Sequence, residues 1–475
     1  STMNDDYITA INAFAARLHD EVDADGNSLL SPYSIAQALL LVAVGARGQT
    51  VAEMHSALCL PDGWLSGRGE HVALDTETAL QQIQDSNHAL RPPGGERERA
   101  IRAQIQMLRG KLQEAERQYY DAGEPLFSAL EQQVFVTARK INELLPHVDQ
   151  YQLHVANSLW CQAGFPFQTA YLDAVQRYCG PCAYAADFVN NREGERGRIN
   201  DWVAEHTAQK INESIPPGML DALTRMVLVN AIYFKGEWQE PFDEAQTEPG
   251  PFTRADGQTL TVPFMNTFVY SRYAAFNSDG SWFATPVTID SDNPPRCYPD
   301  DGGFAILDLP YKGEAVSMLI VVPRDAANLP AVERTLRTRP LADWASHLQQ
   351  KLVRVELPKF RLETTTLLSD VLRRMGMSRV WVPTTSADAA NLSGISSGTS
   401  PEERLYLSEA IHKTFLEVNE KGTEAAGDTA LVDLVGAEEE PFTPEFKADR
   451  PFLVCIRHRP TGLVLFLGRV NDPTV

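Results

Sequence analysis

The stretch Val229-Asn230-Ala231-Ile232-Tyr233-Phe234-Lys235-Gly236-Glu237-Trp238 lies near the middle of the 475-residue chain and decides how the rest is read. Its first half ends a run, Met226 to Phe234, rich in β-branched and apolar residues, the composition of a strand. Runs of the same kind follow at Phe304 to Leu309, Val316 to Val322 and Leu352 to Leu357, with helical patterns between several of them. The last two, Phe452 to Arg457 and Leu463 to Val470, are joined by His458-Arg459-Pro460-Thr461-Gly462, a hairpin signal. Before the central run the period is helical. Tyr7, Ile11, Phe14, Ala15 and Leu18 share a face, and so do Ile35, Leu39 and Val42. The second of these helices starts at Ser31-Pro32, a capping residue followed by a proline whose missing N–H is harmless in the first turn.

Three stretches depart from this order. Residues from about 62 to 150 hold Pro92-Pro93-Gly94-Gly95, a helix with the stripe Ile101, Ile105, Leu108, Leu112 and Ala115, and a second helical pattern from Leu126 to Leu145, which together predict an inserted antiparallel helical hairpin. Residues from about 271 to 303, with two proline and glycine clusters, predict an exposed loop. The third is Glu420-Lys421-Gly422-Thr423-Glu424-Ala425-Ala426-Gly427-Asp428-Thr429-Ala430, followed by some twenty residues with no core pattern before Pro451. A structureless stretch of that length inside a compact domain tends to be functional. It is the first candidate for the active element.

Composition excludes several classes. With 43% hydrophobic and 22% charged residues the chain reads as globular, and a length prior of roughly 150 residues per domain predicts about three domains. The formal charge of −21 predicts no nucleic-acid partner and no anionic membrane partner. The strongest apolar run, Ile35 to Val44, is interrupted by Gln37 and too short to span a bilayer. Arg97, Arg99, Arg102 and Arg109 on the predicted hairpin make a modest basic face that could dock a polyanion, although mixed charges on a helix read first as a solvated surface. The start Ser1-Thr2-Met3-Asn4 lacks the basic and apolar segments of a secretory signal, which leaves either an intracellular protein or one whose signal was removed. Asn212-Glu213-Ser214 and Asn391-Leu392-Ser393 have the glycosylation spacing.

No motif for phosphate binding, zinc-dependent proteolysis or serine hydrolysis occurs, and no cofactor or metal is expected. Cys59, Cys161, Cys297 and Cys455 are isolated. Cys179-Gly180-Pro181-Cys182 has the spacing of a redox pair but follows a helical pattern, Ala170 to Tyr178, instead of opening one, and reads as a turn. His412, between the strand-like runs Leu405 to Leu407 and Phe415 to Val418, reads as a buried histidine held by hydroxyls or amides.

Taken in order, the motifs resemble the serpin family. Asn27-Ser28-Leu29-Leu30-Ser31-Pro32-Tyr33-Ser34-Ile35 is similar to its early signature and the central stretch, Val229 to Trp238, to its most diagnostic motif. Leu309-Pro310-Tyr311-Lys312-Gly313, Leu357-Pro358-Lys359-Phe360 and Asn391-Leu392-Ser393-Gly394-Ile395 follow in register. Glu420 to Gly427 resembles the hinge of the reactive-centre loop, and Asp449-Arg450-Pro451-Phe452 the strand after it. The resemblance implies an α+β fold, residues 1–475 as one domain of three β-sheets and about nine helices, with an exposed reactive-centre loop at 420–450. It implies a monomeric suicide-substrate inhibitor of serine proteases, not an enzyme, whose cleaved loop inserts as a central strand and traps the acyl-protease. Ser31, Ser34, Asn200 and His412 match the family's polar cluster beneath the opening sheet, the shutter, and Trp238 matches the aromatic residue at the entrance, the breach.

The hinge set is then Glu420, Gly422, Thr423, Glu424, Ala425, Ala426 and Gly427. Strand periodicity puts Thr423, Ala425, Gly427, Thr429 and Leu431 on one face, all small, neutral or apolar, with Asp433 the exception. Counting from Glu420 puts the cleaved bond at Gly436, whereas counting back from Pro451 puts it near Glu440, so the loop is longer than usual. Val435-Gly436 or Gly436-Ala437 suits an elastase- or subtilisin-like protease with small or aliphatic primary specificity. Cleavage after Glu438, Glu439 or Glu440 requires a glutamate-specific one, and a cysteine protease is a further alternative. The other alternative is a non-inhibitory serpin with a storage, carrier or chaperone role. An extracellular or envelope location is expected from the family's usual targets, with the cytoplasm as the alternative.

Overall fold

A computed structural model describes residues 3–22, 25–91, 96–121, 124–144, 148, 151–284, 299–423 and 443–475. Eleven α-helices occur among them: α1 (Asp5–Asp20), α2 (Pro32–Ala43), α3 (Gly48–Ala57), α4 (Thr76–Ala89), α5 (Glu96–Asp121), α6 (Glu124–Leu144), α7 (Thr169–Cys179), α8 (Phe188–His206), α9 (Leu329–Thr338), α10 (Leu341–Ala345) and α11 (Leu368–Arg374). The expected cap is present: the Ser31 hydroxyl accepts from the N–H of Ser34 at 3.2 Å, with Pro32 in the first turn. All of α2 is buried, as its nearly uninterrupted apolar sequence requires.

The strands form three sheets. The ten-stranded one contains β1 (Ser28–Leu30), β7 (Glu248–Thr253), β8 (Thr259–Phe276), β9 (Trp282–Phe283), β10 (Phe304–Pro310), β11 (Val316–Pro323), β12 (Gln349–Pro358), β16 (Glu445–Lys447), β17 (Phe452–His458) and β18 (Leu463–Val470). The six-stranded sheet runs β13 (Phe360–Leu367), β14 (Glu409–Asn419), β15 (Gly422–Thr423), β6 (Met226–Glu237), β4 (Tyr151–Gln162) and β5 (Ala183–Ala186). A two-stranded ribbon pairs β2 (Leu65–Ser66) with β3 (Ala73–Leu74). The predicted hairpin at the end of the chain is β17–β18. One large apolar cluster takes side chains from α1 and α2 and from both large sheets, so motifs far apart in sequence share a core.

Two sequence boundaries change. The stretch beginning at 271 is not irregular throughout, because β8 continues to Phe276, pairs with β10 and β12, and buries Ser271, Tyr273, Ala274, Ala275 and Phe276. Only 285–298 of that loop lies outside the described residues. The added hairpin is also narrower than 62–150. Helix α4 inserts Ala79, Leu80 and Ile83 into the main core, whereas α5 and α6 close on a small cluster of their own, Ile105, Leu108 and Ile141 with Val148. The helical stripe read from sequence is the face that packs there.

Candidate functional site: the seam between two central strands

The central strands β6 and β14 are parallel neighbours. Glu409 to Phe415 pair directly with Val227 to Tyr233. Beyond Phe415 they part, and the two residues of β15 sit between them: Gly422 opposite Glu237 on one side and Asn419 on the other, Thr423 opposite Gly236 and Val418. Both new pairings are antiparallel. The seam is therefore closed along most of its length and wedged at one end by the start of the candidate loop.

Gly422 is the residue that permits the wedge. Its φ of 142° is one that L side chains rarely adopt, and a Cβ there would collide with the carbonyl oxygen of Gly236 and the Cα of Glu237. Around it the chain is clamped. The N–H groups of Trp238 and Phe242 donate to the carbonyls of Lys421 and Glu420 at 2.8 Å each, and the Trp238 indole N–H donates to the carbonyl of Asn419 at 3.0 Å. Trp238 is buried and stacks on Tyr311 with ring centroids 4.6 Å apart. Lys312, next to Tyr311, pairs with the carboxylate of Glu237. Glu420 is buried as well, with Lys359 Nζ at 2.9 Å and the Thr247 hydroxyl at 2.8 Å. Burial alone would raise its pKa, but Lys359, its own backbone N–H and Thr247 outweigh that and hold the carboxyl below its ordinary value.

The closed part of the seam is latched by side chains. His412 and Asn230 face each other across the β14–β6 ladder. His412 Nδ1 donates to Asn230 Oδ1, and His412 Nε2 accepts from the N–H of Ser31 at 3.0 Å. Asn230 Nδ2 in turn donates to Ser34 Oγ and to Asn157 Oδ1 on β4. Every bond in this cluster is consistent with a neutral imidazole, and burial pushes the His412 pKa down to about 3. Neighbouring strands lie about 4.8 Å apart, so inserting one between β6 and β14 breaks the His412–Asn230 bond outright. The seam is thus joined by side chains along its paired part and separated by β15 at its other end.

Of the predicted cluster, Ser31, Ser34 and His412 come together and Asn200 does not. Asn200, on α8, instead organises the turn after that helix: its Oδ1 accepts from the N–H groups of Ser214 and Ile215 at 3.0 and 2.8 Å. The asparagine at the seam is Asn230. A lone amide in an otherwise apolar strand needs buried partners, and Asn230 stands within the stretch whose reading opened the sequence analysis, so the signal was there. Asn157 and Thr247 carried no such signal, and Tyr311 and Lys359, although they stand in motifs quoted above, were assigned no partner there, because all four roles come from contacts with distant segments.

Glu424, Ala425, Ala426 and Gly427, and the candidate bond positions Val435, Gly436, Ala437, Glu438, Glu439 and Glu440, lie outside the described residues. On the hairpin, Arg99 and Arg109 are exposed, Arg102 pairs with Glu98 at 2.8 Å, and the side chain of Arg97 is outside the described part. Cys179 and Cys182 are free thiols, each pushed up to about 12 mainly by burial, the opposite of what a redox pair needs. Among the described residues no group of histidine, cysteine and carboxylate side chains could hold a metal ion, and no helix is long and apolar enough to cross a membrane.

Comparison with known proteins bears on the family and the fold. Residues 9–473 match the family model described as serpin, serine protease inhibitor. Leukocyte elastase inhibitor of Bos taurus is 31% identical over 456 residues, covering 94% of this chain and 93% of that protein. Antithrombin-III of Mus musculus is 35% identical over 323 residues, 67% of this chain but only 62% of the length of that relative. The crystal structure of a thermophilic serpin, tengpin, in the native state superposes with a TM-score of 0.71 at 23% identity, covering 99% of this chain and 95% of the other, which speaks to the fold alone.

Proposed function

The chain belongs to the serpin family, described as serine protease inhibitors, and from that premise we propose that it is not an enzyme but inhibits a serine protease as a suicide substrate, as the likeness to inhibitory relatives supports. The protease cleaves the loop within 424–442, its serine forming an ester with the new carboxyl terminus. The freed segment, continuing from β15, then inserts between β6 and β14 and carries the acylated protease with it. Strand insertion of this kind is the known mode of the family. The observation that carries the reading here is β15 itself, already paired on both sides at the mouth of the seam.

The energetic balance favours completion. Insertion gives up one parallel ladder of seven residue pairs and replaces it with two antiparallel ladders, and antiparallel pairing is slightly the more stable per residue. A dozen added bonds at about 1 kcal/mol each give on the order of 10 kcal/mol before ordering entropy. The inward face of the segment, Ala425, Gly427, Thr429 and Leu431, supports this, because none of these side chains is bulky or charged. Asp433 reduces the gain by a few kcal/mol if it reaches the slot unpaired.

For the target we propose an elastase- or subtilisin-like protease cleaving at Val435-Gly436 or Gly436-Ala437. The small residues at that position support it, as does the likeness to a relative named as an inhibitor of leukocyte elastase. Incubation with a panel of proteases, followed by mass measurement of the released C-terminal peptide, tests this. A peptide beginning at Gly436 or Ala437 is expected; one beginning after Glu438, Glu439 or Glu440 assigns a glutamate-specific target instead. Thr423→Arg places a large cation in β15 at the mouth of the seam and is expected to convert the protein from inhibitor to substrate. An SDS-resistant protease adduct that survives this change would sink the insertion mechanism.

A further inference from the structure

Along β8 the side chains of Val269, Ser271 and Tyr273 are buried, whereas Phe268, Tyr270 and Arg272 between them are exposed, the alternation of a strand with one face in water. Phe268 is 55% exposed and Tyr270 40%. Single exposed hydrophobic side chains are ordinary, but adjacent ones mark interaction sites. Among the described residues no other two large hydrophobic side chains this exposed share a strand face. The charged neighbours cancel one another: Arg354, opposite Phe268 on β12, pairs with Glu356 at 3.5 Å and with Glu445 at 3.4 Å, and Lys447 pairs with Glu356 at 2.9 Å. What this face offers a partner is therefore two aromatic rings and an arginine, residue types over-represented in protein interfaces.

The row stands beside the point where the candidate loop rejoins the body. Glu445, Phe446 and Lys447 of β16 pair with Arg354, Val355 and Glu356 of β12, which pair in turn with Phe268, Thr267 and Asn266 of β8. Phe268 and Glu445 are thus two strand spacings apart, about 10 Å. Phe268 also lines a cavity of about 670 Å³ whose walls include Lys447. The bond proposed above, Gly436-Ala437, begins nine residues before Glu445, which puts it within about 30 Å of that residue even at full extension. A protease of about 250 residues is about 45 Å across, so one seated on that bond is large enough to reach the row. We propose that Phe268, Tyr270 and Arg272 form a second docking surface for the target protease, meeting apolar side chains at the rim of its substrate cleft before the bond is cut. This role presupposes that the chain inhibits a protease through its loop, and it adds a source of selectivity that the residues at the cleaved bond do not supply.

Inhibition rates of an elastase and a subtilisin test this surface. Progress curves give the second-order rate constant for the full parent chain and for the triple variant Phe268→Ala, Tyr270→Ala and Arg272→Ala, with all three changes at exposed positions. The variant is expected to inhibit the protease that the parent traps about ten-fold or more slowly, as loss of interface anchors predicts. Its yield of SDS-resistant adduct and its thermal midpoint are expected to match the parent's, because the row lies on the ten-stranded sheet and the seam in the six-stranded one. A rate within about two-fold of the parent's, less than the loss of one such anchor, overturns the docking surface and leaves the inhibitor reading intact. A slower rate accompanied by a lower adduct yield places the effect in strand insertion and overturns it as well. If the parent forms no adduct with either protease, the inhibitor reading fails for these targets and the docking surface fails with it.

Discussion

At the scale of single residues, Gly422 and Asn230 do the least replaceable work at the seam. Gly422→Ala forces a Cβ against the backbone of Gly236 and Glu237 at a φ of 142°, so β15 is expected to leave the sheet. The N–H of Trp238, which donates to the carbonyl of Lys421, would then exchange with deuterium faster than in the parent protein; unchanged protection would show that the wedge does not depend on the glycine. Asn230→Ala removes the hub through which His412, Ser34 and Asn157 meet and leaves buried groups unpaired. A loss of about 1–3 kcal/mol in native stability is expected, read as a lower denaturation midpoint. Asn200→Ala should act only on the turn at Ser214 and Ile215, so adduct formation with the protease should survive it. The sequence resemblance matched Asn200 to the cluster, whereas the asparagine bonded to His412 is Asn230, because spacing along a chain does not say which amide faces which histidine.

At the scale of elements, the α5–α6 hairpin is a module with its own small core, and its ends meet. The Tyr151 hydroxyl at the start of β4 donates to the carbonyl of Leu90 at 2.6 Å, so the chain leaves and re-enters the body at nearly the same place. Replacing residues 92–147 by a short glycine-serine linker is therefore expected to leave the main fold in place and the thermal midpoint within a few degrees, measured by circular dichroism. A collapse of the midpoint would show that the hairpin supports the body. The hairpin was legible in sequence because its stripe repeats at helical period. Its boundary was not, since α4 is helical too and only packing assigns it to the main core. In the same way β8 runs on to Phe276 because β10 and β12 pair with it, a partner effect that no local pattern carries.

At the scale of the whole molecule, two buried histidines, His412 at the seam and His458 on β17, make stability depend on pH. His412 and His458 are pushed down to about 3 and about 4 by burial, so between those values and the ordinary 6.5 the unfolded chain binds protons that the folded chain does not. Stability therefore rises with pH in this window and is lost as pH falls through it, by up to about 1.4 kcal/mol per pH unit for each histidine. Glu420, held below its ordinary value, acts in the same direction at lower pH, where protonation breaks its pairing with Lys359. The denaturation midpoint is expected to fall between pH 6.5 and pH 5, and less steeply in His412→Gln; equal slopes would mean that His412 does not stay neutral at the seam. The length alone suggested about three domains, yet one continuous cluster binds α1 and α2 to both large sheets. What the sequence by itself determined was the set of local patterns: strand and helix periods, the Ser31-Pro32 cap, the glycine of the hinge and an ordered series of motifs specific enough to name a family. Only the tertiary structure decided that the seam is closed, that Asn230 latches it and that Lys359 and Thr247 hold Glu420. These are contacts between segments up to hundreds of residues apart, and their geometry exists only once the sheets have packed.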